Sequence, residues 1–174
     1  IIKNQLKKKF IIKNINLNLI GKHNILNATA AISICLNLGI KVKTIKQALK
    51  NFTGVQRRMT KIFTKNKNEF YDDYAHHPTE ILSVLEGIKK VSKNKKITSV
   101  FQPHRYSRIK SLKNEFSKSF FNSDNVVLCP VYAAGEKIDK SFNLINFAKS
   151  ISKKSNVRVI IVKGEKDLDN YFKK

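Results

Sequence analysis

Three short apolar runs constrain the fold of this chain more than any other feature. "ITSVF" at 97–101, "NVVLC" at 125–129 and "VRVIIVK" at 157–163 show little alternation of apolar and polar residues. Strands of this kind are covered on both faces, as in parallel sheets. Segments long enough for a helix lie between them, which is typical of strands joined by helical crossovers. The sequence therefore predicts an α/β fold, with a Rossmann-like, mostly parallel sheet and helices on both faces.

Helical and hairpin patterns fill the spaces around these strands. Ile81, Leu85 and Ile88 share one face of a helix that would begin at Pro78 and run to about residue 91. Leu112, Phe116 and Phe120 predict a helix over 107–122. Further helices are expected over 141–151 and 165–172. The strand-like segments 58–64 and 69–74 flank the polar "KNKN" and predict a β-hairpin.

The first fifty residues form a different pattern. Residues 10–20 predict a strand, and the apolar segment Asn24 to Leu38 predicts a buried helix that ends at Gly39. Thr44 is a candidate cap for a short helix over 44–52. The polar joint "TGVQRRM" follows, so we expect a domain remnant of strand and helix over residues 1–54 and a second domain over residues 55–174.

The charge and the cysteines of the chain indicate which classes of partner and which cellular compartment to expect. The chain of 174 residues has 35 Lys and Arg against 12 Asp and Glu, a formal charge of +23. This charge fits nucleic acid or anionic lipid, but the lysines occur in every segment, which favours an overall compositional bias. Anionic small substrates would also suit such a surface. No apolar run approaches the ~20 residues that span a bilayer. Cys35 and Cys129 read as buried thiols of a reducing compartment, so we expect a cytoplasmic protein with no membrane partner.

Polar clusters follow three of the predicted strands. They are "DDYAHHP" after 69–74, "QPHRYSR" after 97–101 and "VYAAGE" after 125–129. Ligands of open parallel sheets bind beyond the carboxyl ends of the strands. The three clusters are therefore expected to converge on one edge of the sheet and to form a site there.

The first cluster holds adjacent histidines and adjacent aspartates. His76 and His77 would point in different directions on either a strand or a helix, so they are poor joint ligands of one metal. A zinc site that adds Asp72 or His104 remains an alternative. Asp73 is placed to accept the hydroxyl groups of a ribose, or else to serve as a cap or turn residue.

The second cluster carries two arginines where a helix begins. Arg105 and Arg108 are three residues apart, which puts both guanidinium groups on one side. With His104 as a third donor they would form a pocket for phosphate or carboxylate. The alternative is a solvated basic turn.

Two further positions are candidates for nucleotide contacts. Arg58 lies in the polar joint and could reach a nucleotide, or be part of a charged linker. Asn24 and Asn27 stand three apart at a helix start and could read a base edge, although capping by Asn24 is an equally ordinary role.

The segments "GKHNILNATAAI", "FTGVQRRM", "YDDYAHHPTE", "FQPHRYSR" and "VYAAGE" occur here in this order. Together they resemble the C-terminal part of the Mur ligase family, and within it the branch that joins L-alanine to UDP-N-acetylmuramate in peptidoglycan precursor synthesis. The branch that recycles murein tripeptide shares the "DDYAHHPT" pattern but lacks a "QPHRYSR"-like segment. Arg105 and Arg108 therefore favour the alanine-adding branch.

The resemblance implies an activity and a division of the chain. It implies an ATP-dependent amide ligase that works through an acyl phosphate, with the end of the central ATP domain over residues 1–54 and the C-terminal Rossmann-like domain after it. The P-loop and the Mg²⁺ ligands of the family would lie upstream, and the chain contains no such loop. We therefore expect a fragment that is truncated at both ends, inactive alone and dependent on the upstream domains, and no nucleic-acid partner.

The resemblance also implies roles for individual residues. The nucleotide would be bound by Asn24, Asn27, Arg58 and Asp73. The muramoyl carboxylate and the alanine would be bound by Tyr74, His76, His104, Arg105 and Arg108, and among these the catalytic residues would be His76, His104 and Arg105.

Overall fold

A computed structural model describes residues 11–19, 21–92 and 95–173 of the chain. Its contacts divide into two compact units, one ending at Tyr74 and one beginning at Ala75, and each is described here by itself. The domain boundary expected between residues 54 and 55 stays a prediction. The helices and strands are α1 Lys22–Asn37, α2 Val42–Asn51, β1 Thr60–Lys65, β2 Asn68–Asp72, α3 Pro78–Val91, β3 Thr98–Phe101, α4 Tyr106–Ser111, α5 Lys113–Lys118, β4 Asn125–Leu128, α6 Leu144–Ser155, β5 Arg158–Ile161 and α7 Glu165–Lys173.

Helix α1 of the first unit ends at the predicted glycine. Gly39 has a φ of 76°, a conformation that side chains with a Cβ disfavour. Its N–H donates to the carbonyl of Leu36 and the N–H of Ile40 donates to that of Cys35, each over 3.0 Å. These two hydrogen bonds form a Schellman motif, which satisfies the last carbonyls of the helix.

Three expectations for the first unit are wrong. Residues 11–19 form no strand, because they pair with no other strand among the described residues; instead the amide of Asn18 donates to the carbonyl of Lys50 over 2.9 Å. Helix α1 is not buried: Ile25 and Leu26 are 59% and 60% exposed, since among the described helices and strands of this unit α2 alone packs against it closely. The second helix begins after Lys41 rather than at Thr44.

The predicted hairpin is confirmed. Strands β1 and β2 pair antiparallel and are joined by Asn66 and Lys67, whose φ angles of 50° and 65° suit the two-residue turns that match the twist of a hairpin. The rings of Phe63 and Phe70 stack across the pair with centroids 4.3 Å apart. β2 therefore belongs to a separate two-stranded sheet, so the cluster after it does not follow a strand of the parallel sheet as predicted.

The second unit contains the predicted parallel sheet. Its strands lie in the order β3-β4-β5, and all neighbours run parallel. The α/β class is thereby confirmed. Helix α3 begins at Pro78 as expected, and β3 to β5 fall within the three apolar runs that predicted them.

One hydrophobic core joins this sheet to its helices. Phe101 of β3 packs against Phe116 and Phe120, with ring centroids 5.8 Å and 5.2 Å away, and Phe147 of α6 meets Phe116 edge to face. The core consists of Ile81, Leu85, Ile97, Phe101, Ile109, Phe116, Phe120, Val126, Leu128, Phe147, Ala148, Ile151 and Val157. Four of the predicted periodic positions, Ile81, Leu85, Phe116 and Phe120, are thus buried, whereas Ile88 and Leu112 pack against the core and are only partly buried.

The helix predicted over 107–122 is divided at Leu112. Leu112 has φ −114° and ψ 25°, outside the helical region, and it ends α4 while it precedes α5. Its N–H still donates to Arg108, and its carbonyl accepts from Phe116. The apolar period predicts the buried face correctly, but it carries no information on one distorted backbone position.

Buried serines connect α5 to α6. The hydroxyl of Ser155 donates to the carbonyl of Ser117 over 2.7 Å and accepts from the N–H of Phe120 over 3.1 Å. The hydroxyl of Ser117 donates to that of Ser150 over 2.9 Å. Hydroxyls at a buried interface need such partners, because an unsatisfied one costs about 1–3 kcal/mol.

Candidate functional site

In the first unit, the polar joint at residues 53–59 is hydrogen-bonded to the residues that follow strand β2. The N–H of Met59 donates to Asp73 Oδ2 over 2.8 Å, and the N–H of Tyr74 donates to the carbonyl of Arg57 over 2.8 Å. The Arg57 guanidinium lies 4.9 Å from the centre of the Tyr74 ring and 3.4 Å from the Asp72 carboxylate. Asp73 thus fixes the backbone beside Arg58, whose side chain is exposed.

The predicted asparagines lie on α1. Asn24 is the buried residue of this helix, whereas Asn27 is exposed. The helix is capped at Gly21 without a side-chain hydrogen bond, so the alternative role of Asn24 as its cap is wrong. The amide of Asn24 is thus buried and that of Asn27 is exposed, and the role of both in nucleotide binding stays a prediction.

In the second unit, the two adjacent histidines do different things. His77 is the cap of α3: its Nδ1 accepts from the N–H of Thr79 over 3.4 Å. The carboxylate of Glu80 completes a capping box by accepting from the N–H groups of His76 and His77 over 3.0 Å and 3.2 Å. Asp73 is therefore not the cap of this helix. The ring of His77 is thus engaged in capping, whereas His76 contacts Glu80 through its N–H and has Nδ1 3.5 Å from that carboxylate.

The clusters after β3 and β4 meet, as predicted. His104 and Tyr132 form a parallel bridge that extends the pairing of the strands, and their ring centroids are 4.7 Å apart. The ring of His76 lies 6.4 Å from that of His104. The N–H of Arg105 donates to the carbonyl of Tyr132 over 2.9 Å. His76, His104 and Arg105 therefore belong to one group at the carboxyl ends of two parallel strands.

Arg105 of this group and Arg108, three residues later on α4, both have unusual surroundings. Arg105 has φ 64° and ψ 126°, a sparsely populated conformation that costs on the order of 1–3 kcal/mol for a residue with a side chain. Nη1 of Arg108 is buried and has no hydrogen-bond partner in the part of the chain that the structure describes. Strained backbone and unsatisfied donors are tolerated most often where they serve a ligand.

Sequence reasoning missed three residues that shape this group. Tyr132 lies beside His104, and Glu80 lies 3.5 Å from Nδ1 of His76. Glu136 accepts from the N–H of Ser107 over 3.1 Å and from its hydroxyl. Tyr132 and Glu136 lie in the "VYAAGE" cluster, so their position after a strand was a signal; nothing in the sequence marked Glu80 as more than a helix-start residue.

The loop after β4 is also tied to α4 by a charged contact. Lys110 pairs with Asp139, and the hydroxyl and N–H of Ser141 donate to the same carboxylate. The Lys110 ammonium, then the Ser141 hydroxyl, lowers the pKa of Asp139 from 3.8 to about 2. The charged carboxylate is thereby favoured in the folded state.

This contact predicts an acid-dependent loss of stability. Because the folded-state pKa is depressed, the contribution of Asp139 is fully present above its ordinary pKa of 3.8 and is lost as the pH falls through about 2. We expect the Asp139 carboxyl carbon to titrate near 2 by NMR, and Lys110→Met to move the midpoint up toward the ordinary value. A midpoint that Lys110→Met leaves in place would rule out this contact.

The described ranges, 11–19, 21–92 and 95–173, contain no group of three or more His, Cys, Asp and Glu side chains that could hold a metal ion. No helix there is both long and apolar enough to cross a membrane. Cys35 and Cys129 are free and only partly buried, and burial raises the pKa of the Cys129 thiol.

Comparison with known proteins identifies relatives of the whole chain. A profile described as "Mur ligase, glutamate ligase domain" matches residues 57–170. The UDP-N-acetylmuramate–L-alanine ligase of Pelagibacter ubique is 52% identical over 167 residues, which cover 96% of this chain and 36% of that protein. The UDP-N-acetylmuramate–L-alanine ligase of Vesicomyosocius okutanii is 42% identical, and the match again covers 36% of that protein. This chain thus spans about a third of the curated relatives it matches.

Solved structures give the same result. The UDP-N-acetylmuramate–alanine ligase of Thermotoga maritima matches with a TM-score of 0.72 and 32% identity over 90% of this chain and 33% of that one. A murein peptide ligase from Psychrobacter arcticus shares the fold at 24% identity, with a TM-score of 0.62 over 91% of this chain and 32% of its own. On the profile match, the sequence identities and the shared parallel sheet, the chain belongs to the Mur ligase family.

Proposed function

We propose that this chain is the C-terminal part of an ATP-dependent ligase that joins L-alanine to UDP-N-acetylmuramate in the cytoplasm. The observation that carries the proposal is the group formed by His76, His104 and Arg105 at the carboxyl ends of β3 and β4. This is the edge of a parallel sheet where substrates bind. The substrates are taken from the names of the relatives, such as the Pelagibacter ubique ligase, which is 52% identical.

The arginines would bind a carboxylate. Arg105 and Arg108 present two planar guanidinium groups, which match the geometry of a carboxylate better than an ammonium does. Held this way, L-alanine would direct its amine toward the carbonyl carbon that it attacks. The buried Nη1 of Arg108 fits this role, because a bound carboxylate would supply the hydrogen bond that none of the described residues gives it.

The imidazoles would act on the proton of the amine. The centroid of the His104 ring lies 4.7 Å from that of Tyr132 and 6.4 Å from that of His76. A neutral imidazole in this position accepts the proton that the attacking amine must lose. Glu80, 3.5 Å from Nδ1 of His76, would hold that ring in one orientation. Arg105 would then stabilise the negative charge that develops on the acyl oxygen.

The first unit would contribute to nucleotide binding. Asp73 would accept a ribose hydroxyl group, Arg58 would contact phosphate, and Asn24 with Asn27 would approach the adenine, while Tyr74 would line the substrate side. ATP supplies the phosphoryl group that activates the muramoyl carboxylate. Mg²⁺ would accompany it, with ligands outside this chain. The exposed side chain of Arg58 and its backbone support at Asp73 fit this role.

A chimera tests the proposal. This chain replaces the matching 167 residues of the Pelagibacter ubique ligase, and phosphate release is measured with ATP, UDP-N-acetylmuramate and L-alanine. We expect turnover within about tenfold of the parent, because the core and the arginines are retained. Murein tripeptide offered in place of L-alanine should give none. A folded chimera that prefers the tripeptide, or that is inactive with both substrates, would contradict the proposal.

A further inference from the structure

The N-terminus of α4 is built in an unusual way. Its cap is Arg105, which makes no capping hydrogen bond with its side chain. Helix caps are ordinarily Ser, Thr, Asp or Asn, whose oxygens accept from the first free N–H groups of the helix. Here that oxygen comes from Glu136, a residue 29 positions away in the loop after β4, which accepts from the N–H and the hydroxyl of Ser107.

We propose that Glu136 is a positioning residue for Arg105: it caps α4 from the neighbouring loop, so that the capping position itself carries a guanidinium. The inference rests on the proposed function for its catalytic consequence and on geometry for the contact. An arginine at this position could not satisfy the free N–H groups, because a guanidinium only donates. A carboxylate from another loop does so and also favours the positive end of the helix.

The same contact stabilises the strained backbone at Arg105. The conformation of Arg105, φ 64° and ψ 126°, persists only if its surroundings impose it. On one side its N–H is bound by the carbonyl of Tyr132, and two residues later Ser107 is bound by Glu136. Both restraints come from the loop after β4. The pKa of Glu136 is held below its usual range, most strongly by the hydrogen bond from the Ser107 hydroxyl and then by that from the Ser107 N–H. The charge of Arg105 lowers it further.

The first experiment tests the contact without any activity. In residues 1–174, the side-chain carboxyl of Glu136 is titrated by NMR in the unchanged protein and in Ser107→Ala. We expect a midpoint below the ordinary 4.5, and a rise toward it in the variant. An ordinary midpoint in the unchanged protein, or one that Ser107→Ala leaves in place, would overturn the proposal whatever the enzyme does.

The second experiment tests the consequence in the active chimera. Glu136→Ala should lower kcat/KM for L-alanine by about ten- to a hundredfold, as a small misplacement of a binding group does. Most of the loss should appear in the KM for L-alanine and little in that for ATP. Glu136→Gln keeps an accepting oxygen and should recover most of the activity.

The matched control is Glu86→Gln, which removes an exposed pair with Lys90 on α3 and should change nothing. Equal effects of Glu136→Ala on the KM values of L-alanine and ATP would overturn the positioning role and leave the proposed function standing. An inactive unchanged chimera would instead overturn the proposed function, and the titration would then decide the inference alone.

Discussion

Replacing Arg108 with methionine is expected to lower kcat/KM of the chimera for L-alanine by about a hundredfold or more, because the carboxylate of L-alanine would lose a charged donor that orients it. The stability of the chain should respond in the opposite direction. Nη1 of Arg108 is buried and finds no hydrogen-bond partner among the described residues, so its removal relieves an unsatisfied donor while the methionine keeps most of the packing. We expect the free energy of unfolding to stay equal or to rise by up to about 1 kcal/mol.

The control is Arg158→Met at the first residue of β5, at the opposite end of the strands from the site, which should alter neither quantity measurably. Chemical denaturation of residues 1–174 gives the stability, and initial rates of the chimera give kcat/KM. A variant that loses stability together with activity would show that Arg108 is a structural residue. Retention of full activity would remove Arg108 from the substrate site.

Replacing Phe116 with alanine is expected to have the largest effect on folding. Phe116 is fully buried, contacts the rings of Phe101 and Phe147, and stands at the centre of the core of the second unit. Truncation of a buried phenylalanine costs about 3–5 kcal/mol, because it removes apolar burial and leaves a cavity. Since small domains are stable by only about 5–15 kcal/mol, the variant should unfold at a much lower denaturant concentration.

Phe121 provides a matched control a few residues away. Its side chain is 58% exposed, so Phe121→Ala should change the free energy of unfolding by less than about 0.5 kcal/mol. Denaturation monitored by far-UV circular dichroism compares the two variants directly. Similar midpoints for the two variants would contradict the described core.

The second unit was predicted well because its signals are strong and local. The apolar runs and the positions Ile81, Leu85 and Phe116 encode burial directly, and burial determines which face of each element packs. The first unit was predicted less well. Alternation over 10–20 indicates a strand only where a neighbour pairs with it, and the apolar composition of α1 predicts burial only where something covers it.

The candidate site was predicted in part for the same reason. Residues that end strands, such as His104 and Arg105, are visible in the sequence because strand order brings their loops together. The sequence could not predict which of His76 and His77 belongs to the site, because this depends on which of them caps α3. The strained backbone of Arg105 and the contribution of Glu136 depend on contacts 27 to 29 residues apart, which no local pattern encodes.

The hydroxyl contacts between α5 and α6 fix how far one helix can slide along the other. A shift by one residue would break the bonds of Ser155 to Ser117 and Phe120 together and leave hydroxyls stranded away from water. Aliphatic side chains alone would tolerate such a slip more easily, since dispersion contacts are not directional. Strand β5 begins at Arg158, shortly after α6 ends at Ser155, so a fixed position of α6 would also limit how far β5 can shift along β4.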